Sequence, residues 1–379
     1  MDFGLNEEQE MLKTMARDFF TNECPKTHVK EMMDDEKGYS PELWKKMAEL
    51  GFLGLVIPEE YGGTGGNFID LMVLMQEMGR AVLPSPFIST VLLAGIPLLT
   101  AGTEEQKKEF LPKIAAGDVI LALALSEPNG DLGADAIEIE AVAEGNDYII
   151  NGTKLFVLDA AAADHILCAT RTKRTKDPEE GITLFLIDAK ADGVQITSLK
   201  TMDETRKQCE VLFKNVKVPA KSMVGELHQG WPILKKTLNQ ATAMLCGEMV
   251  GGLDTVMEMT LDYAKQRIQF GVPIGSFQAI KHKFADMLIQ VEYARSLTYY
   301  AAWTVDQDIP DSPVAVSTAK SWCGDAYKHV TNEGVQIHGG IGFTWDHDMH
   351  LYFKRARSSD TAFGDSTYHR ELIAQSLNL

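Results

Sequence analysis

Basic residues are the scarce class in this sequence: 36 lysines and arginines stand against 54 aspartates and glutamates, a formal net charge of -18. A general phosphate-backbone binder needs an excess of positive potential, so a nucleic-acid partner is disfavoured. Net charge says nothing about one pocket, and local basic spots can still hold the phosphates of a small ligand. Long apolar runs are also missing; none approaches the roughly 18 residues of a membrane span. The opening, MDFGLNEEQEMLKTMARDFF, lacks the basic segment and apolar run of a signal peptide, and reads as a short extended lead and a helix. Cysteine is sparse: Cys24, Cys168, Cys209, Cys246 and Cys323 are widely scattered and form no metal-spaced pair. Nothing argues for disulfides, no metal site is expected, and a reducing compartment, the cytoplasm, is the expected location.

What is present divides into three regions, with expected boundaries at 1–119, 120–228 and 229–379. The first is mostly helical. Asn6 precedes the acidic pair Glu7 and Glu8, suited to a first turn, and Leu12, Met15, Phe19 and Phe20 form an apolar stripe. GYSPELWKKMAELG places Ser40 as a cap, Pro41 at the first helical position and Gly51 at the end. The second region changes to short strand candidates, several with period-two alternation, from VILALALSEP to CEVLFKNVKVP. Within it Asn151-Gly152 is a hairpin-turn signal, and KRTKDPEEG reads as an exposed loop. The third region returns to long amphipathic helices around 236–265, 275–304 and 311–337. The expected fold is multidomain α+β: an N-terminal helical domain, a middle β domain and a C-terminal four-helix bundle.

Several phrases, in order and over essentially the whole chain, resemble the acyl-CoA dehydrogenase family. They are GFLGLVIPEEYGGTGG at 51–66, LALSEPNG at 123–130, YIINGTKLFVLDAA at 148–161, YAKQRIQFGVPIGSFQAIKHKFADM at 263–287 and VQIHGGIGFTWDHDMHLYFKRAR at 335–357. The resemblance implies FAD as cofactor, an acyl-CoA substrate oxidised between its α and β carbons, and electron-transferring flavoprotein or a similar acceptor. It also implies a homotetramer, or a heteromer with a related subunit. The α proton of a thioester is poorly acidic until its carbonyl is polarised, so such a site must join a base to donors at the developing enolate oxygen.

The resemblance also assigns cofactor residues. Arg267 and Phe270 match a pair that reaches the FAD of a neighbouring subunit, the planar guanidinium on pyrophosphate. Gln336, Gly339 and Gly340 match a second FAD-binding element, where glycine permits close backbone approach to phosphate. Ser126 corresponds to a residue bonded to the flavin ring, and Phe156 to an aromatic packed on it. Leu158 departs from the pattern, standing where a hydroxyl often bonds near flavin N5.

The base is displaced. The usual glutamate precedes the glycine of a C-terminal Glu-Gly-Thr phrase; here AFGDSTYHR puts Phe363 there and Asp365 where a threonine commonly approaches the cofactor. The alternative family position matches Ala241, also empty, and Thr242 replaces an arginine found beside it in some relatives. Glu248 lies seven residues on from Ala241, on the same helical face about 10 Å along the axis. It sits in the apolar, small-residue stretch ATAMLCGEMVGG. A carboxylate facing inward there is costly unless functional or paired. Glu248 is therefore the first candidate base, and Asp365 the second, with His369 and Arg370 able to pair with it. Some relatives acting on bulky or ring-bearing thioesters are similar in both the shifted glutamate and the Phe-Gly-Asp ending, an atypical subgroup. The expected activity is FAD-dependent α,β-dehydrogenation of a bulky, branched or cyclic acyl-CoA. Two alternatives stand beside it: a non-catalytic subunit of a heteromer, and a non-redox lyase or isomerase on the same scaffold.

Overall fold

The computed structural model describes residues 4–379, so the first residues of the extended lead lie outside the described part. Helix α1 (Glu7–Glu23) begins at Asn6, whose side chain accepts from the Gln9 N–H while the Gln9 side chain accepts from the Asn6 N–H. This reciprocal cap satisfies two donors that a helix start leaves open. Helix α2 (Lys26–Asp34) is followed by α3 (Pro41–Glu49), capped by Ser40 with Pro41 in its first turn. Gly51 then turns the chain at a left-handed φ of +76°, as its position after the helix predicts. Helix α4 (Phe68–Ala81), a π-helical run over 88–95, α5 (Ile96–Ala101) and α6 (Glu104–Ala115) complete the N-terminal helical domain.

The central domain holds β1 (Leu121–Ala124), β2 (Glu140–Glu144), β3 (Asp147–Leu158), β4 (His165–Arg171), β5 (Ile182–Asp188), β6 (Val194–Ser198), β7 (Gln208–Pro219) and β8 (Met223–Val224). They form one sheet in the order β6-β7-β3-β2-β4-β5-β8, with β1 added parallel to β4. Ile150, Val157, Ile166, Phe185, Val211 and Phe213 supply part of its core. The segment KRTKDPEEG forms the loop between β4 and β5, mostly exposed.

One expectation fails here. Asn151-Gly152 makes no hairpin turn; β3 runs through it, and the turn between β2 and β3 falls at Gly145-Asn146. The pair sits instead at a register shift against β7, where Gly152 has φ +143° and the Asn151 side chain accepts from the Asn215 N–H. Asparagine and glycine serve a bulge as readily as a turn, because both need an irregular backbone.

The C-terminal helix bundle comprises α7 (Gly230–Gln266), a short hairpin of β9 (Ile268–Gln269) and β10 (Val272–Pro273), α8 (Gln278–Asp306), α9 (Ser312–His338), α10 (Met349–Thr361) and α11 (Ser366–Ser376). The α9 helix packs against α8, α10 and α11. By contacts the chain forms two compact units. One joins the N-terminal residues through Lys30, Asn67–Leu83 and Thr242–Leu379; the other joins Glu31–Gly66 and Pro84–Ala241.

In the first unit, α4 crosses α7 at a distance only glycine allows. A Cβ on Gly251 would lie 1.8 Å from the Gln76 carbonyl oxygen, and one on Gly79 would lie 1.9 Å from that of Glu248. The small residues around Glu248 thus serve backbone-to-backbone packing, and they fix the α7 turn that carries it.

Candidate functional site

In the sheet unit, a buried ion pair organises the segment around Ser126. Lys154 Nζ, fully enclosed, donates to Glu127 Oε1 at 2.8 Å and to the Leu125 carbonyl at 2.9 Å. The Glu127 carboxylate also accepts from the Glu138 and Ile139 N–H groups. Charge and hydrogen-bonding capacity are thereby met inside the protein, as burial demands. The half-buried Ser126 is tied to β3 through its carbonyl, which accepts from the Leu155 N–H at 2.9 Å. The next residue, Phe156, takes φ +55° at a second register shift and remains 54% exposed. Ser126 and Phe156 are therefore brought together, with the aromatic turned out of the core. Leu158 is buried and offers no hydroxyl.

In the other unit, the ends of α7 and α9 meet. The Tyr263 and His338 rings stack with centroids 4.4 Å apart. Arg267 follows one turn after Tyr263, its N–H bonded to the Tyr263 carbonyl at 2.8 Å. Gln336, Gly339 and Gly340 surround His338 in sequence and are all exposed. Added Cβ atoms at Gly339 and Gly340 would meet open space, and Gly339 has φ +64°. Arg267 is exposed, and Phe270, at φ +53° on the hairpin tip, is 92% exposed. The hairpin also exposes Ile268 and Val272, and the Phe277 ring lies 6.1 Å from that of Phe270; a contiguous exposed apolar patch of this kind marks an interaction surface.

The two candidate bases occupy opposite settings. Glu248 is 4% exposed and its Oε1 lies 2.5 Å from Arg355 Nη1 on α10, itself 2% exposed. Such a pair balances the charge that burial would otherwise penalise. Asp365 is exposed and caps α11, its side chain accepting from the Tyr368 N–H at 2.8 Å. The expected pairing of Asp365 with His369 and Arg370 does not form. His369 bonds to Ser317 and to the Phe363 carbonyl, while Arg370 pairs with Asp325. Asp365 leads into α11, and the imidazole and guanidinium four and five residues on face elements other than its carboxylate.

Sequence reasoning overlooked Arg355, the Lys154–Glu127 pair and Lys320. Glu127 and Lys154 both lie inside the recognised phrases, yet nothing in their spacing says that they meet. Arg355 is one of three cations in KRAR, and its burial is decided only by the crossing of α7 and α10.

The chain matches family models along most of its length: acyl-CoA dehydrogenase N-terminal domain at residues 6–118, middle domain at 122–216 and C-terminal domain at 228–378. It is 32% identical to the probable acyl-CoA dehydrogenase YngJ of Bacillus subtilis (strain 168), with all of both chains covered. It is 31% identical to CarC, the caffeyl-CoA reductase-Etf complex subunit of Acetobacterium woodii, over 97% of this chain and 98% of that one. The solved structure of butyryl-CoA dehydrogenase from Megasphaera elsdenii superposes with a TM-score of 0.93 at 30% identity, covering 100% of each chain. With matching domains in matching order and a shared three-part architecture, the chain belongs to the acyl-CoA dehydrogenase family, whose chemistry is FAD-linked oxidoreduction of acyl-CoA thioesters.

Proposed function

We propose that this protein dehydrogenates a bulky, branched or ring-bearing acyl-CoA, with Glu248 taking the α proton and an electron-transferring flavoprotein as electron acceptor. The observation that carries the proposal is the exchange of carboxylates. Phe363 and Ala241 leave both usual base positions empty, while Glu248 places a carboxylate two turns along α7 in an interior where an acidic side chain is otherwise costly. The likeness to a subunit named for a caffeyl-CoA reductase-Etf complex supports both a ring-bearing acyl group and this acceptor.

FAD would be held by Arg267 and Phe270, by Gln336, Gly339 and Gly340, and by Ser126 and Phe156. The exposed aromatics at positive φ and the open Gly-Gly turn fit that role. Bound FAD supplies the two-electron acceptor for the β hydride, chemistry that side chains lack. The chain's own part is to polarise the thioester carbonyl and move the proton. The Phe363 N–H, which bonds to no acceptor among the described residues, is the backbone donor for the carbonyl oxygen. Leu158 keeps the flavin edge less polar than a hydroxyl would. The solvent-exposed hairpin bearing Phe270 supports assembly with a further subunit, either a second copy or a related chain.

A second reading is favoured by one observation: the Glu248 carboxylate is bonded to Arg355. On that reading the pair is structural, Asp365 is the remaining candidate base or the chain is inactive alone, and it supplies FAD contacts within a heteromer.

An anaerobic absorbance titration of purified protein with straight-chain, branched and cyclic acyl-CoAs tests both. Bleaching of the flavin by branched or cyclic thioesters is the expected result. Bleaching by straight chains alone would sink the substrate class. Bound flavin untouched by any thioester, together with an unlike family member that co-purifies, would establish the second reading. Product formed without stoichiometric flavin reduction would mean lyase or isomerase chemistry.

A further inference from the structure

The turn between α10 and α11 is held in an uncommon way. Lys320, a fully buried lysine on α9, spends its ammonium on backbone carbonyls, donating to Asp360 O at 2.7 Å and Gly364 O at 2.6 Å. The intervening Phe363 carbonyl is taken by His369 Nε2 at 3.1 Å. That bond makes Nε2 the protonated nitrogen, and Nδ1 accepts from Ser317 Oγ at 3.2 Å. The nearby Asp360 carboxylate is satisfied elsewhere, by Lys328 and Ser366. Lys320 is thus committed to the course of the main chain.

The same turn is strained. Phe363 has φ +58° and Gly364 φ +101°, where a Cβ on Gly364 would lie 2.2 Å from the Tyr368 ring. A bulky residue keeps a left-handed conformation only when its surroundings over-determine it. Here three carbonyls drawn inward by two buried side chains do so. Peptide planarity fixes the N–H groups of Thr361, Gly364 and Asp365 to those carbonyls, and the Ala362–Phe363 peptide, which carries the Phe363 N–H, is held between the anchored planes on either side. The Phe363 N–H is left with no acceptor among the described residues.

We propose that Lys320 and His369 are positioning residues: by anchoring the carbonyls of Asp360, Phe363 and Gly364 they aim the Phe363 N–H at the thioester carbonyl oxygen. Neither touches substrate. The inference rests on the acyl-CoA reading above, and it assigns the acidity of the bound α carbon to two side chains behind the loop.

The test uses the FAD-loaded protein and (phenylthio)acetyl-CoA, a ring-bearing thioester that cannot be dehydrogenated. Its α carbon lies between sulfur and carbonyl, and on ionising it gives a long-wavelength absorption with oxidised flavin. The midpoint pH of that band reports how strongly the carbonyl is polarised, independently of turnover. His369→Leu and Lys320→Met are expected to raise the midpoint by about one unit, a tenfold loss in the ionisation constant, with flavin content and analogue affinity retained. His369→Gln, whose amide can donate to the Phe363 carbonyl, is expected to restore it. If Lys320→Met does not fold, the His369 pair decides alone. An unchanged midpoint in His369→Leu, or no rescue by His369→Gln, overturns the positioning role while leaving the acyl-CoA reading intact. A native protein that shows neither the band nor bleaching by any acyl-CoA overturns both.

Discussion

Glu248 and Arg355 can be separated into charge balance and catalysis by a double-mutant cycle. Both side chains are almost wholly buried, and their charged atoms are 2.5 Å apart. Removing one partner of such a pair strands the other charge and costs roughly 3–5 kcal/mol, whereas replacing both with apolar residues of similar volume is often neutral or stabilising. The lower end of that range does not apply here. The Glu248 backbone is pinned where α4 crosses α7, so this turn cannot shift to let water reach the stranded charge. Glu248→Gln and Arg355→Met should each lower stability by about 4 kcal/mol, read as a fall in the urea midpoint by circular dichroism. The double variant Glu248→Met/Arg355→Met should recover most of that loss. Catalysis should not recover with it. Losing a general base costs about 10²- to 10⁴-fold, so single-turnover flavin reduction should stay suppressed in the double variant. Reduction at a near-native rate in the stable double variant would refute the assignment of Glu248 as base. A Glu248→Gln protein destabilised by less than about 1 kcal/mol would refute the charge-balance argument itself.

Three other predictions test the scaffold. Burial, and then the neighbouring Lys320 ammonium, hold the His369 pKa down at about 4. The unfolded chain therefore takes up this proton first as the pH falls. The His369 contribution to stability is complete above about 6.5 and is lost between there and 4, at most about 3 kcal/mol. Denaturant titrations at pH 7 and pH 5 should show that slope flattened in His369→Gln. Gly251→Ala pushes a methyl into the Gln76 carbonyl; it should cost at least the 1–3 kcal/mol typical of overpacking, seen as a lower thermal midpoint, and an unchanged midpoint would mean α4 and α7 can separate. Lys154→Met strands the Glu127 carboxylate, with an expected loss of about 3–5 kcal/mol and weaker flavin retention on a desalting column, because the Ser126 segment loses its anchor.

Much of this protein was legible in its sequence, because the relevant physics is local. A capping serine, a proline in a first turn and a glycine after a last one set helix limits, as over 40–51. Period-two alternation set the strands. The recognised phrases pointed to the family, and composition alone disfavoured a nucleic-acid partner. Asn151-Gly152 shows where local signals end. The same two residues satisfy a turn or a bulge, and the choice was made by β7, some sixty residues further along the chain.

Only the tertiary structure decided what the charged residues do. From the sequence, Glu248 was a carboxylate in an apolar stretch; that it meets Arg355 follows from the packing of α7 against α10. Asp365 looked like one member of an ion network and became a helix cap, because Arg370 reaches Asp325 and His369 turns to the Phe363 carbonyl. Lys320 carried no signal beyond its place among small residues on α9, yet it anchors the strained turn. The physical reason is common to Glu248 and Lys320: the energy of a buried charge depends on which partner lies within about 3 Å of it, and that partner is chosen by packing between segments far apart in the chain.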